Sequence, residues 1–289
     1  LGHYNVGGTT ITFRGSLTLY YLCVLLSVLE EALEEAERQG GEMEIWLDLT
    51  HGVNYMPSVS LLAVLRARSV LEKLVGPTRL RLFNSDPPRG ESKPVVVNEM
   101  ELETYPTPLP RPDERVGNQK LCEVAAELLE KPQKLLRDDL REKVRGALER
   151  ARQAFEGMGR GVFEGLWYAA SYALPLLALT YARKLPEGRA EKSALELVRG
   201  LRDALFSALR SLNAEPDGGA LTYPTGRAIV EEQVRILEVA LEAYATCLGV
   251  ARAAAAYPPD EEGGYALETI ERFTSEVLSR YAPFVEDFL

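Results

Sequence analysis

The run Ile45-Trp46-Leu47-Asp48-Leu49-Thr50-His51-Gly52-Val53-Asn54-Tyr55-Met56-Pro57 passes from apolar to polar and back to a long apolar-periodic segment. Such an order predicts a buried strand over 44–49, a tight loop and the start of a helix. One carboxylate, Asp48, falls at the carboxyl end of the strand. Thr50, His51 and Gly52 make the loop, and Asn54 or Ser58 is placed to cap the helix. Open α/β sheets bind ligands just beyond the carboxyl ends of their strands. A helix N-terminus there presents backbone N–H groups and the positive end of the helix dipole, which suits an anion. Gly52 lets the backbone turn and approach a ligand closely. Thr50 and Asn54 carry short hydrogen-bonding groups, and His51 a planar ring able to donate or accept. A purely structural role fits the same residues, with Asp48 ordering the loop and His51 a satisfied structural histidine.

Upstream, Leu1 to Gly15 is rich in Gly and Thr and reads as a loop with a short strand at Thr10 to Phe13. Ser16 caps a helix that runs to about Gln39. Its apolar face is Leu19, Leu22, Cys23, Leu26, Leu29 and Leu33, its last turns are acidic and solvated, and Gly40-Gly41 stops it. Downstream, a helix over 55–75 ends at Gly76-Pro77. Arg79 to Phe83 alternates as a strand, Asn84 to Lys93 is a turn-rich loop, and Pro94 to Thr104 holds one or two more strands with Asn98 at the break. Helix, strand, helix, strand, strand is an α/β unit. Its sheet is thin beside a complete doubly wound one. Residues 1–104 are therefore expected to be the second half of a Rossmann-like domain, N-terminally incomplete. The earlier strands would lie before Leu1 or on another chain, and the initial Leu in place of Met agrees.

Four prolines between Tyr105 and Val116 make 105–117 a stiff linker and the expected domain boundary. From 118 to 289 the segments are helical in pattern, near 118–130, 133–157, 160–184, 187–212, 226–256 and 265–288, with a loop from Asn213 to Thr225. This is an all-α domain with no repeat at solenoid period. Trp167, Tyr168 and Tyr172 stand at helical spacing and are expected in its core. Phe163 to Leu185 approaches membrane length, but Glu164 and Pro175 interrupt it, so a buried core helix is expected and no membrane association.

The net charge is −10, and acidic residues outnumber basic ones on both sides of Gly117. That excludes broad electrostatic binding of duplex DNA while allowing a small anion in a local pocket. Cys23, Cys122 and Cys247 lie far apart without metal spacing and read as buried thiols in a reducing, cytoplasmic setting. Two histidines in the chain exclude most His-rich metal sites, and no metal or cofactor is expected. Abundant Glu and Arg with few Asn and Gln fit a thermophile.

The string Asp48-Leu49-Thr50-His51-Gly52, followed by Asn54, resembles the Asp-x-Thr/Ser-His-Gly signature of CARF domains, the Rossmann-like sensors of CRISPR-associated proteins. The layout resembles members that join a CARF domain to a C-terminal helical HEPN domain. The resemblance implies a type III antiviral defence protein whose loop helps form a pocket across a homodimer two-fold. The implied ligand is cyclic oligoadenylate, a ring-shaped phosphodiester messenger. A symmetric ring suits a two-fold interface, because each subunit presents the same patch. Within that frame Thr50, Gly52 and the backbone amides face phosphate, Asn54 reads a ribose or base edge, and His51 bonds phosphate or packs on adenine. Asp48 orders the loop, since like charges repel. Arg14 with Gly15 and Ser16, before the preceding helix, is a second candidate phosphate contact.

The resemblance also implies an Arg-x4–6-His pair in the helical domain that cleaves single-stranded RNA. No histidine follows His51, so that motif is absent from this sequence and the catalytic residues are unassigned. No P-loop, zinc spacing or Ser-His-Asp order replaces it. The readings left are a sensor whose helical domain relays the signal, a ring-activated ribonuclease with its motif elsewhere, and an unrelated Rossmann-like nucleotide binder.

Overall fold

Apolar residues recur every three or four positions from Leu22 to Leu33, and the computed structural model folds this stretch into helix α1, Leu17–Gln39. Leu22, Leu25, Leu26, Leu29 and Leu33 are buried along it. The structure describes residues 2–6, 9–14, 17–39, 42–50, 55–85, 97–101, 142, 146, 160–185, 195–196, 198–203, 215–217, 220–224 and 231–281.

Before α1 the chain forms a hairpin, β1 (Gly2–Val6) and β2 (Thr9–Arg14), in the register Val6↔Thr9. The short strand expected at Thr10 to Phe13 is β2, and the loop expected before it is corrected to β1. After α1 come β3 (Met43–Asp48), α2 (Met56–Leu74), β4 (Thr78–Ser85) and β5 (Val97–Glu101). β3 and β4 are parallel and joined by α2, and β5 returns antiparallel to β4. Asn98 lies inside β5, paired with Asn84, so no break occurs there.

The helical part holds α3 (Arg160–Ser171), α4 (Pro175–Ala182), α5 (Glu231–Ala254) and α6 (Leu267–Glu276), then a 3-10 turn, Leu278–Arg280. Residues 198–203 are also helical. The α/β region is therefore followed by a helical one. The expected loop from Asn213 to Thr225 contains two more strands, β6 (Glu215–Asp217) and β7 (Ala220–Pro224). β7 lies parallel to β2, giving one sheet ordered β1-β2-β7-β6 beside a second ordered β3-β4-β5. The linker 105–117, the helix near 118–130 and nearly all of that near 133–157 lie outside the described residues, as does Cys122.

The expected single helix over 160–184 is two. Pro175 has no N–H to donate and its ring clashes with the carbonyl four residues back, so the helix cannot pass through it. Instead α3 closes with Leu174 N–H donating to Ala169 O (2.8 Å) and Ala173 N–H to Ala170 O (3.3 Å). This is a Schellman closure with Ala173 in the left-handed region at φ 50°. A Cβ there costs about 1–2 kcal/mol. Ala173→Gly is expected to raise stability by about 1 kcal/mol in urea denaturation; an unchanged or lower midpoint would contradict the strain. The elbow also sorts the aromatic group. Trp167 is buried, whereas Tyr168 and Tyr172 stack on each other at the surface, 6.3 Å between centroids. Only Trp167 joins the core, and the other two are corrected to exposed positions.

α5 is buried all round from Leu241 to Val250. A helix with apolar or small residues on every face runs through a core. α2, α3 and α4 pack around it. One continuous apolar cluster takes in Leu29 of α1, Leu71 of α2, Leu166 of α3, Leu179 of α4 and Leu248 of α5. A smaller one, Val64, Leu80 and Leu82 with Ile45, Leu47 and Leu49 against it, lies between α2 and the β3-β4-β5 sheet.

The acidic end of α1 is not wholly solvated, contrary to expectation. Glu30 is buried and paired with Arg202 and Arg199, and Glu34 pairs with Arg199. Burial pushes the Glu30 carboxyl up, against the pull of Arg202, whereas the Arg199 hydrogen bond holds Glu34 down. Cys23 is half-buried and Cys247 fully buried, both free. Burial pushes the Cys23 thiol up to about 11 and the Cys247 thiol well above its usual range, so both stay protonated at neutral pH. Among the described residues no helix is long and apolar enough to cross a membrane.

Candidate functional site

Asp48 is the last residue of β3 and lies in register with Phe83 of the parallel strand β4. Leu49 N–H donates to Phe83 O (2.7 Å), so the two chains stay paired one residue beyond the strand. The turn then begins with two side-chain bonds. Asp48 Oδ1 accepts from Thr50 N–H (2.8 Å), the local pattern by which Asp orders a turn. Thr50 Oγ1 accepts from Ser85 N–H (3.0 Å), at the end of β4. Thr50 is thereby tied to both strands, and its hydroxyl hydrogen stays available to a further acceptor. This places the start of the loop at the carboxyl edge of the parallel pair.

His51, Gly52, Val53 and Asn54 follow, outside the described residues. The chain resumes at Tyr55, the N-cap of α2, whose carbonyl takes Val59 N–H at 3.0 Å. Tyr55 is helical in φ and ψ and makes no side-chain cap bond; Ser58 lies inside the helix and does not cap it. Pro57 has no N–H to leave unsatisfied, which suits a first turn. The N–H groups of Met56 and Ser58 belong to the first turn, where the helix itself supplies no carbonyl partner.

Tyr20 Oη and Ser60 Oγ are hydrogen-bonded at 2.8 Å, joining the first turns of α1 and α2. The two helices thus begin side by side. Arg14 ends β2 opposite Pro224. Of Arg14 only the backbone is described, and Ser16 lies outside the described residues. Among the described residues no group of three His, Cys, Asp or Glu side chains is gathered as a metal site.

The strand itself departs from expectation. The apolar run predicts burial on both sides, but β3 alternates: Met43, Ile45 and Leu47 are half-buried, and Glu44, Trp46 and Asp48 are exposed. Among the described residues α1 and α2 cover one face of this sheet, and Trp46 on the other is 65% exposed. It packs on Phe83 (5.4 Å between centroids) with the Arg81 guanidinium 6.0 Å from its ring. Trp46 Nε1–H donates to Glu44 (2.7 Å) and Arg81 bonds both Glu44 and Glu99. The indole bond, with Arg81 second, holds Glu44 below the usual carboxylate range. Sequence reasoning missed Ser85, whose bond to Thr50 spans two strands, and missed the open face carrying Trp46.

Residues 2–87 match the family profile described as "CRISPR system endoribonuclease Csx1, CARF domain". The chain is also 37% identical over 86 residues to the protein called "CRISPR system endoribonuclease Csx1" from Methanocaldococcus jannaschii. That alignment takes in 29% of this chain and 16% of the archaeal protein. The profile match contains β3, the Asp48–Gly52 string and α2. Over residues 2–87 the chain is thus similar to the CARF domain of the Csx1 family, and it spans about a sixth of the length of the relative it matches.

Proposed function

We propose that the loop after β3 receives cyclic oligoadenylate at a homodimer two-fold, and that the helical region is the output arm. The observation that supports this most is the anchoring of Thr50. Its amide and hydroxyl are fixed by Asp48 and Ser85 at the carboxyl edge of a parallel strand pair, shortly before the start of α2. In this reading Thr50 donates its hydroxyl hydrogen to a phosphodiester oxygen and Gly52 lets the backbone close on it. His51 bonds phosphate or packs on adenine, and Asn54 reads a ribose or base edge. Arg14 and Ser16 add a second phosphate contact from the start of α1. Asp48 keeps its carboxylate on the loop rather than on the anion, as its bond to Thr50 suggests.

A ring that binds one dimer geometry better than another shifts the population toward it by that difference in affinity. The sensor would act in the cytoplasm, where such a messenger is made and where free thiols persist. A second reading makes the helical region a ring-activated ribonuclease acting on single-stranded RNA. It is favoured by the word endoribonuclease in the descriptions of the matched family and relative, and disfavoured by the lack of any histidine after His51.

Thr50→Ala and His51→Ala are each expected to weaken ring binding by about 1–3 kcal/mol, the range for hydrogen bonds to charged groups. Calorimetric titration of each variant with cyclic tetra- and hexa-adenylate measures it. Parent-like affinity in both variants would remove the loop from the contact.

A further inference from the structure

Helix α2 starts at the loop and ends inside the helical region, where α5 holds its last two turns in three ways. Glu242 of α5, 1% exposed, is paired with Lys73, itself buried, and with Arg66 at 3.1 Å. Lys73 Nζ also donates to Ser69 Oγ (3.3 Å). Gly249 lets the α5 backbone press on α2: a Cβ there would stand 2.4 Å from Lys73 O and 2.6 Å from Tyr281 Oη. Arg252 donates to Leu74 O, one of the carbonyls that the end of α2 leaves without an intrahelical partner. Apolar contacts tolerate small sliding, whereas a buried ion pair loses its partner when displaced, so it fixes register. Packed helices with such fixed points respond to a small push by changing between discrete arrangements.

We propose that α2 is the rod by which occupancy of the loop reaches α5, and that the Lys73–Glu242 pair with the Arg252–Leu74 cap is the coupling contact. This rests on the reading of the loop as the ring's receptor. A shift at Met56 moves the whole helix, because its hydrogen-bonded ladder is stiff along the axis. The buried pair hands that shift to Glu242 at the centre of the helical core. Lys73, Glu242 and Arg252 meet at the end of α2 opposite Met56, so they are expected to affect coupling without affecting recognition.

The test is amide hydrogen exchange on the 289-residue chain with and without cyclic tetra- or hexa-adenylate. The parent is compared with Lys73→Met/Glu242→Leu, which removes both charges at similar volume. Arg252→Met serves as a milder second variant if the first does not fold. In the parent, ring addition is expected to change exchange at both 56–74 and 241–254. In the variants the heat of ring binding stays as in the parent, and the change is expected to stop within 56–74. An unchanged 241–254 in the ring-bound parent, or an equal response there in the variants, overturns the proposal. Absence of heat with both rings in the parent would instead defeat the receptor reading. The coupling is then read by Thr50→Val, which removes a hydroxyl that Ser85 N–H needs. Faster exchange at 241–254 in the parent background but not beside Lys73→Met/Glu242→Leu upholds the coupling, and no difference between the two backgrounds overturns it.

Discussion

Glu242→Ala is expected to destabilise the chain by about 3–5 kcal/mol, the usual cost of leaving one member of a buried ion pair uncompensated. Lys73 would keep only Ser69 as a neighbour able to accept a hydrogen bond among its observed contacts, in a largely buried position. The loss is greater than that of an ordinary surface pair, worth about 0–1 kcal/mol, because the ammonium cannot return to solvent without unpacking α2 from α5. Replacing both members, Lys73→Met with Glu242→Leu, is expected to cost far less than Glu242→Ala alone, since apolar residues of similar volume often match a buried pair. Urea denaturation of the three proteins measures this. A Glu242→Ala loss under about 1 kcal/mol would mean that the pair is effectively solvated.

Gly249→Ala is the second large effect. In an open helix this change stabilises by about 1 kcal/mol, because Ala loses less backbone freedom. Here the added carbon would meet the Lys73 carbonyl oxygen at 2.4 Å, a backbone atom that moves only if the helix does. The expected outcome is a loss near the upper end of the ~1–3 kcal/mol range for overpacking, with α2 and α5 forced apart. Thermal unfolding of the variant measures it. A gain in stability would show that α2 and α5 pack less closely at this point.

The site was legible in the sequence as far as its signals are local. Asp48 to Gly52 gave a strand end and a turn, and the helix expected over 55–75 spans 56–74, because 3.6-residue periodicity is read within one segment. The hairpins were missed although a local sign was present. Gly7-Gly8 and Gly218-Gly219 each separate two strands whose flanking residues pair, Val6 with Thr9 and Asp217 with Ala220. A two-residue Gly-Gly link is a recognised hairpin connection, and it counts once both flanks are taken as strands. The pairing of β2 with β7 joins segments some two hundred residues apart, which no local pattern encodes.

The same limit governs the polar residues. Glu242 reads in sequence as one more helical glutamate, and only Lys73 and Arg66 arriving from α2 make it a buried charge. Ser85 reads as the first part of a polar loop, and its amide becomes part of the site only when β4 runs beside β3. Trp46 looks like core because parallel strands are usually covered on both faces. It stands exposed, on the face opposite the one that α1 and α2 cover among the described residues.

We propose that the turn opened by Asp48 and Thr50 holds a cyclic phosphodiester. It is tested most directly by calorimetric titration of the parent chain with cyclic tetra-adenylate, cyclic hexa-adenylate, the linear oligomers of the same lengths and AMP. Saturable heat with a cyclic species at one ring per two chains, and much weaker heat with linear oligomers and AMP, is the predicted result. Heat with AMP alone, or no heat with either ring, would contradict it.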